Sequence, residues 1–220
     1  MLTIIQAAGW PIWPLIACSI LALALVIERF VALRTPRIAP PQLLDEVLTV
    51  CAKGLPSNET VGQLAQNSLL GEVLATGLRT LQTHPTSSEA ELRSAMEGAG
   101  RMAAHRLEKY LTALATIASA APLLGLLGTV IGMIEIFGSQ SGGGAVGTGN
   151  PAQLAHGISV ALYNTAFGLI VAIPALIFWR YFRARIDGYL LQLEVAAERF
   201  AQHLLTLRRA EAKPSRPSAP

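Results

Sequence analysis

Charge and cysteine are both scarce in this sequence, and each shortage narrows the classes of protein to which the chain can belong. Charged residues make up 14% of the 220 positions and hydrophobic residues 52%, whereas about a quarter of an average soluble domain is charged. Two cysteines, Cys18 and Cys51, are too few for a disulfide framework. The composition therefore indicates a membrane protein that also has a sizeable water-exposed part.

Motifs typical of enzymes and of metal sites are absent as well. The sequence has no phosphate-binding glycine loop, no nucleophile elbow and no pair of catalytic carboxylates. Its four histidines lack the spacing of metal ligands. The basic residues flank apolar segments and are not interleaved with aromatic residues, as they are on surfaces that bind nucleic acid. We therefore expect no catalytic residue, metal, cofactor or nucleic-acid partner.

Lysine and arginine are missing from two long stretches of the chain. All 17 of them lie within residues 29–109 or 180–216, so residues 1–28 and 110–179 carry no basic side chain. Because the cytoplasmic segments of membrane proteins carry an excess of lysine and arginine, both basic regions are predicted to be cytoplasmic. The amino terminus is then outside the membrane and the carboxyl terminus inside.

What the sequence does contain is three apolar runs of membrane-spanning length. They predict an all-α membrane protein with three transmembrane helices, of which the second and third extend far into the cytoplasm, plus short amphipathic cytoplasmic helices. A capping box at Ser88 and Glu91 begins a helix that is expected to run without a stop to Gly138. The predicted segments are a periplasmic or interfacial segment (1–11), transmembrane helix 1 (12–33), a cytoplasmic helical region (34–109), transmembrane helix 2 (110–137), a periplasmic glycine-rich loop (138–156), transmembrane helix 3 (157–180), a cytoplasmic helix (181–209) and a disordered tail (210–220).

Small residues recur at helical spacing in the second and third spans. In membranes such residues let helices approach closely, because lipid offers no hydrophobic driving force for association. Pro122 and Pro174 lie inside these spans and are expected to kink them without ending them. The residues predicted to form the packing face are Gly125, Gly128 and Gly132 on the second span, and Ala161, Gly168 and Ala172 on the third.

Four polar residues interrupt these two spans. Thr129 on the second and Thr165 on the third occupy comparable positions, Asn164 adjoins Thr165, and Glu135 is a carboxylate near the outer end. Ionisable residues within membrane spans are costly and usually functional. A shared polar interior that hosts water or a partner's ionisable group is one interpretation. The other is that the threonines bond to their own backbone and the small residues only permit packing.

Two blocks within these spans resemble a known signature. APLLGLLGTVIGMIEIF (121–137) and GISVALYNTAFGLIVAIPALIFWRYFRARIDGY (157–189) are similar to the TolQ/ExbB branch of the MotA/TolQ/ExbB proton channel family. The resemblance implies a bacterial inner-membrane protein that assembles as a homopentamer around a pair of single-span helices of the ExbD/TolR kind. It also implies that a partner aspartate carries the proton and that Thr129 and Thr165 line its path.

The chain departs from the family pattern at one position. The pattern has a glutamate three residues after the glycine of the second block, and this chain has Val160. By rise per residue, Val160 and Glu135 are expected at nearly the same depth. Glu135 is therefore a candidate for the outer proton-entry role. The alternative is that Glu135 reaches the outer interface and is merely solvated.

Two classes of function remain open from the sequence. One is a proton-driven subunit that energises a periplasm-spanning, TonB-like or TolA-like protein for outer-membrane transport or envelope maintenance, as the resemblance implies. The other is a non-conducting scaffold that only assembles partner helices, which Val160 favours. Arg180, Arg183 and Arg185 are expected to anchor the topology and to contact lipid head groups.

Overall fold

The computed structural model describes residues 10–141 and 151–211, and these form two compact units. Within the described part, the membrane unit comprises residues 10–30 and 110–183, and the helical unit comprises residues 31–109 and 184–211. The helices of this part are α1 (Ile12–Ala32), α2 (Thr35–Ile38), α3 (Leu43–Cys51), α4 (Asn58–Asn67), α5 (Leu69–Thr83), α6 (Glu89–Glu108), α7 (Leu111–Ser141) and α8 (Pro151–Glu211).

The expected fold class is confirmed. Residues 10–141 and 151–211 contain helices and no strand. Three helical stretches are long and apolar enough to cross a membrane, namely Ile12–Ala32, Glu89–Gly138 and Ala161–Arg208. The second and third stretches are much longer than the roughly 20 residues that a bilayer needs, so each includes residues on either side of an apolar core.

The helix that was expected to run unbroken from Glu89 to Gly138 is interrupted. A two-residue turn at Lys109 and Tyr110 separates α6 from α7. Lys109 keeps helical backbone angles, with φ of −44° and ψ of −44°. The backbone therefore does not become extended at Lys109.

The glycine-rich loop predicted at residues 138–156 is shorter at both ends. Helix α7 continues to Ser141, and α8 already begins at Pro151. Proline is favoured in the first turn of a helix, where its missing N–H has no partner to lose. The predicted tail also begins later, because α8 runs to Glu211. Residues 142–150 of the loop, 212–220 of the tail and 1–9 of the amino-terminal segment lie outside the described residues.

The helical unit is built from short helices whose ends are set by side-chain caps. The apolar pattern between Val61 and Gln82 is divided at Ser68, whose hydroxyl accepts the Gly71 backbone N–H at 3.0 Å and so begins α5. The capping box at Ser88 and Glu91 is present as expected. Helix α2 is a single helical turn with Pro36 in its first turn, where proline is tolerated.

The core of the helical unit is made by α5, α6 and the carboxyl-terminal part of α8. The fully buried side chains include Leu74 and Leu78 of α5, Leu92 of α6, and Phe200 and Ile186 of α8. These residues recur at the helical spacing that the sequence shows, so each helix buries one apolar stripe.

Polar contacts tie the parts of this unit together around its core. The Tyr189 hydroxyl donates to the Leu33 carbonyl at 3.2 Å, lies 2.9 Å from the Thr35 hydroxyl and accepts from Arg185 Nε at 3.2 Å. Hydrogen bonds from Gln202 and Arg93 hold the pKa of the exposed Glu198 carboxyl below its usual value.

Candidate functional site

Helices α7 and α8 approach each other closely, and glycine makes this approach possible. A Cβ atom built on Gly168 would lie 2.6 Å from the Ala121 carbonyl oxygen. One built on Gly125 would lie 2.7 Å from the Asn164 carbonyl oxygen and 3.0 Å from the Thr165 Cα. These distances are shorter than van der Waals contact, so the two backbones touch where no side chain intervenes.

The glycine contacts also define the register of the two helices. Gly128 faces the Asn164 side chain, with 2.8 Å between its ideal Cβ position and the Asn164 Cβ. Gly132, one turn further along α7, faces Ala161, which comes earlier in α8, at 3.4 Å. Residue numbers therefore rise along one helix as they fall along the other, so α7 and α8 are antiparallel.

Thr129 and Thr165 lie at similar depths in this register. Each is one residue away from the facing pair Gly128 and Asn164, in opposite axial directions, so the two threonines differ in depth by about 3 Å. Both side chains are partly buried. The Thr129 hydroxyl donates to the Leu126 carbonyl of its own helix at 2.7 Å, which leaves its lone pairs free to accept a hydrogen bond.

The two threonines also share one side of the helix pair. At about 100° per residue, Thr129 lies about 70° from the centre of the α7 contact face, and Thr165 about 55° from the centre of the α8 face. On each helix, the threonine is displaced from the centre of the contact face by a rotation about the helix axis, in the sense in which the chain winds as residue number increases. Because the two helices run in opposite directions, equal rotations in this sense bring both side chains to the same side of the pair.

Helix α1 packs on the opposite side of the pair. Leu15 of α1 forms a buried cluster with Ala121 and Ala172. The partly buried side chains around this cluster are Leu124, Phe167 and Val171, and on the same helical geometry all three fall on the side away from the threonines. Within the described residues, the threonine side is thus the side that α1 leaves uncovered.

Asn164 sits in the seam between the helices and not on the open side. Its side chain is 2% exposed and packs against Gly128. An asparagine can occupy this position because Gly128 has no Cβ to fill it. Thr129, in contrast, lines a shallow depression on the surface of α7 together with Val130, Met133 and Phe137.

Glu135 is exposed and lies near the end of the helix pair that is remote from Tyr110. It is three residues beyond Gly132, and since Gly132 faces Ala161, it lies about 3 Å further from Tyr110 along the pair than the backbone of Val160. Helical position 135 falls on the side of the pair away from the threonines. Glu135 is also 25 residues beyond Tyr110, about 37 Å by helical rise, which exceeds the ~30 Å of a bilayer's hydrocarbon core.

The end of the membrane unit that contains Arg29 and Tyr110 has a charged and aromatic cluster that was not expected from the sequence. Arg29 is only 3% exposed; it pairs with Glu28 at 2.6 Å, and its guanidinium carbon lies 5.1 Å from the Tyr110 ring centroid. The neighbouring Phe30 packs edge-to-face against Phe178 and Phe182. The signal in the sequence was an arginine just after the first apolar run and a tyrosine at the start of the second.

The remaining predicted site residues are spread along α7 and α8. Pro122 and Pro174 both lie inside continuous helices. Arg180 and Arg183 are exposed where α8 leaves the membrane unit, whereas Arg185, in the helical unit, is bonded to Tyr189. Among the described residues, no group of three or more His, Cys, Asp or Glu side chains could hold a metal ion.

Comparison with known proteins agrees with these features. Residues 65–195 match the MotA/TolQ/ExbB proton channel family. A Synechocystis protein named biopolymer transport protein ExbB-like 3 is 33% identical over 95% of this chain and 96% of its own length. Biopolymer transport protein exbB1 of Vibrio cholerae is 30% identical over 77% of this chain and 73% of its own. The Tol-Pal system protein TolQ of Pseudomonas aeruginosa is 29% identical over 84% and 82%. With α7 and most of α8 inside the matched range, this chain belongs to the MotA/TolQ/ExbB proton channel family.

Proposed function

We propose that this chain is the multi-pass subunit of a proton-driven complex in a bacterial inner membrane. Five copies surround a pair of single-span, ExbD/TolR-like partner helices. Protons that cross the membrane through this complex drive a periplasm-spanning, TonB-like or TolA-like protein, for outer-membrane transport or envelope maintenance. The amino terminus is periplasmic and the carboxyl terminus cytoplasmic, and Arg180 and Arg183 contact anionic lipid head groups at the inner surface.

One observation carries the proposal. Thr129 and Thr165 lie at similar depths, on the side of the α7 and α8 pair that α1 leaves uncovered. A hydroxyl pair exposed to hydrocarbon has no evident benefit, because lipid cannot hydrogen-bond. Facing a partner helix, the same pair offers acceptors and donors to an ionisable group. The depression beside Thr129 provides room for side chains of such a helix.

The chemistry required of the threonines is modest. A carboxylate in a membrane is costly when ionised, and it is stabilised by hydrogen bonds from neutral donors. The Thr165 hydroxyl supplies such a donor when the partner aspartate is charged, and the Thr129 hydroxyl, whose hydrogen goes to the Leu126 carbonyl, accepts from the aspartate when it is protonated. Asn164 fills the contact between α7 and α8 at this depth, so the spacing of the two helices, and with it the distance between the two hydroxyls, is fixed. Glu135, near the outer end of α7 but on the side of the pair away from the threonines, is the proposed proton-entry group.

Removing the threonine hydroxyls is expected to abolish most of the proton flux. The measurement is proton uptake by liposomes that contain this protein with an ExbD/TolR-like single-span partner. Thr165→Val and Thr129→Val keep the side-chain shape and remove the hydroxyl, and we expect each to lower partner-dependent flux about tenfold or more, which corresponds to about 1.4 kcal/mol or more.

Two controls make this result specific. Thr206→Val removes a hydroxyl that is likewise bonded to its own helix, here to the Gln202 carbonyl at 2.8 Å, outside the apolar spans. It should leave flux unchanged. Neutralising the partner aspartate should abolish flux while the complex still forms. Wild-type flux in both threonine variants would overturn the proposal.

Glu135→Gln tests the outer entry role separately. Because Glu135 lies at nearly the depth of the Val160 backbone, we assign to it the role of the glutamate that the family pattern has at position 160. We expect the variant to lower flux severalfold and to leave assembly intact. Flux equal to that of wild type would assign Glu135 to ordinary solvated surface.

The second candidate function is a non-conducting scaffold for partner helices, and the observation that favours it is the valine at position 160. A scaffold predicts a tight complex with the partner that passes no protons under any imposed gradient. Val160→Glu would then be the substitution to make, because conduction gained by that variant would identify the lost group.

A further inference from the structure

A groove between α3 and α4 has no role in the function described so far. Its volume is about 570 Å³, and its lining includes Leu78 of α5, which is fully buried. Two large apolar side chains beside it remain exposed. Val50, which lines the groove, is 46% exposed, and Leu55, in the turn after α3, is 54% exposed. An apolar groove with exposed apolar side chains at its rim is suited to cover by another segment.

The charge around this groove is negative. Residues 39–67 carry three acidic side chains, Asp45, Glu46 and Glu59, and one basic side chain, Lys53, although the whole chain has a net charge of +3. The three carboxylate residues are exposed, and Glu46 lines the groove itself. A basic segment is therefore the complementary occupant, because opposite charges attract and orient an approaching partner.

The α4 wall of the groove offers hydrogen-bond donors. Gln63, Gln66 and Asn67 line it and are exposed, and each amide nitrogen has two hydrogens to donate. The carbonyls inside an α-helix are already bonded to backbone N–H groups. A polyproline II segment has no internal hydrogen bonds, so its carbonyls are available as acceptors. The groove thus fits an extended, proline-containing segment.

The sequence that follows α8 is both basic and rich in proline. Prolines recur at every third residue, as Pro214, Pro217 and Pro220, and Lys213 and Arg216 have the same spacing. A polyproline II helix has three residues per turn, so this spacing would place the prolines on one stripe and the two basic residues on another. The sequence alone offers this segment no partner, and it was therefore expected to be disordered.

The end of α8 lies close to the groove. Leu207 and Arg208 of α8 line a small cavity together with Cys51 and Leu55, and Cys51 also lines the groove. Residues 212–220 would span about 28 Å in a polyproline II conformation, at about 3.1 Å per residue. Helix α3 is only about 12 Å long by helical rise. The segment is thus long enough to turn after α8 and lie along α3.

We propose that residues 212–220 dock in the groove between α3 and α4 of the same chain. The proline stripe packs on the apolar lining, and Lys213 and Arg216 face the carboxylate of Glu46. The amides of α4 donate to the backbone carbonyls of the segment. Because the segment is tethered, its effective concentration at the groove is on the order of millimolar, so a modest affinity is sufficient. The docked segment covers the exposed side chain of Val50.

Binding of a synthetic peptide, AKPSRPSAP, to the protein in nanodiscs of zwitterionic lipid tests the proposal. A chain shortened to end at Glu211 leaves the groove open and should bind the peptide. The full chain, whose own segment fills the groove, should bind it about tenfold more weakly. Glu46→Lys in the shortened chain should weaken binding severalfold. Glu194→Lys is the matched control, because Glu194 is an exposed carboxylate on α8 that does not line the groove, and it should leave binding unchanged.

An exchange of charges distinguishes a lost contact from a misfolded groove. The peptide with Lys213→Glu and Arg216→Glu should bind the shortened chain poorly and regain affinity for its Glu46→Lys variant, which a misfolded groove cannot provide. Amide hydrogen exchange gives a readout without peptide: α3 and α4 should exchange severalfold faster in the shortened chain than in the full chain, and α6 should not change.

Three outcomes would overturn the inference. The first is equal binding of the peptide by the full and shortened chains, and the second is binding that Glu46→Lys leaves undiminished. The third is that the shortened chain binds no peptide and exchanges as the full chain does, in which case the groove belongs to a segment of another protein.

Discussion

Gly168→Ala is expected to force α7 and α8 apart and to destabilise the membrane unit. The added methyl group would meet the Ala121 carbonyl oxygen at 2.6 Å and the Gly125 Cα at 3.2 Å. Both are backbone atoms, which cannot rotate away as a side chain can. The helices must therefore shift, and overpacking of this kind costs about 1 to 3 kcal/mol and occasionally more.

The loss should extend to conduction, because the seam positions the two threonines. Thr165 touches Gly125 in the same contact, with 3.0 Å between the Thr165 Cα and the ideal Cβ position of Gly125. A separation of the helices by even 1 Å misplaces groups that must exchange hydrogen bonds. We expect flux with the single-span partner to fall along with stability.

Gly132→Ala is the matched control for this prediction. Its new methyl group would meet the Ala161 Cβ at 3.4 Å, which is ordinary contact between side chains. The measurement is thermal unfolding of the purified complex in nanodiscs, followed by proton flux in liposomes. If Gly168→Ala unfolds at the same temperature as Gly132→Ala, the close approach of α7 and α8 is not a feature of the assembled protein.

Phe200→Ala is expected to give the largest loss of stability in the helical unit. Phe200 is fully buried on α8, in the part of the chain that packs with α5 and α6. Truncating a buried phenylalanine removes its transfer free energy and leaves a cavity, which together cost about 3 to 5 kcal/mol. That is comparable with the whole stability of a small domain.

Amide hydrogen exchange of the complex would localise this effect. We expect faster exchange in α5 and α6 for Phe200→Ala. Leu191→Ala provides the comparison, because Leu191 is 61% exposed on the same helix and should change exchange little. Equal, small effects from both variants would contradict the assignment of Phe200 to the core.

The parts of this protein that could be read from its sequence are those set by local patterns. Three apolar runs dictate three membrane-spanning helices, because a backbone in lipid must satisfy its own hydrogen bonds. The capping box at Ser88 and Glu91 starts α6 where expected. The resemblance carried by residues 121–137 and 157–189 led to the right family.

Helix ends were less predictable, because the free-energy contributions that favour and oppose one more helical residue are nearly equal there. The glycine and serine residues after Phe137 weaken a helix without forbidding it, so α7 continued to Ser141. Ser68 divides one apolar pattern into two helices. Its hydroxyl accepts a backbone N–H at the start of α5, a hydrogen bond that it could not make in the interior of a continuous helix.

The sequence by itself determined which side chains are small, polar or charged and how deep in each span they lie, because helical rise converts residue number into depth. Only the tertiary structure decided which of them meet. The contacts of Gly125, Gly128 and Gly168 set the register of α7 and α8, and the packing of Leu15 decided which side α1 covers. The rotation of a helix about its own axis depends on the side chains of neighbouring helices that it contacts. The spacing of residues along one helix does not determine which neighbours those are.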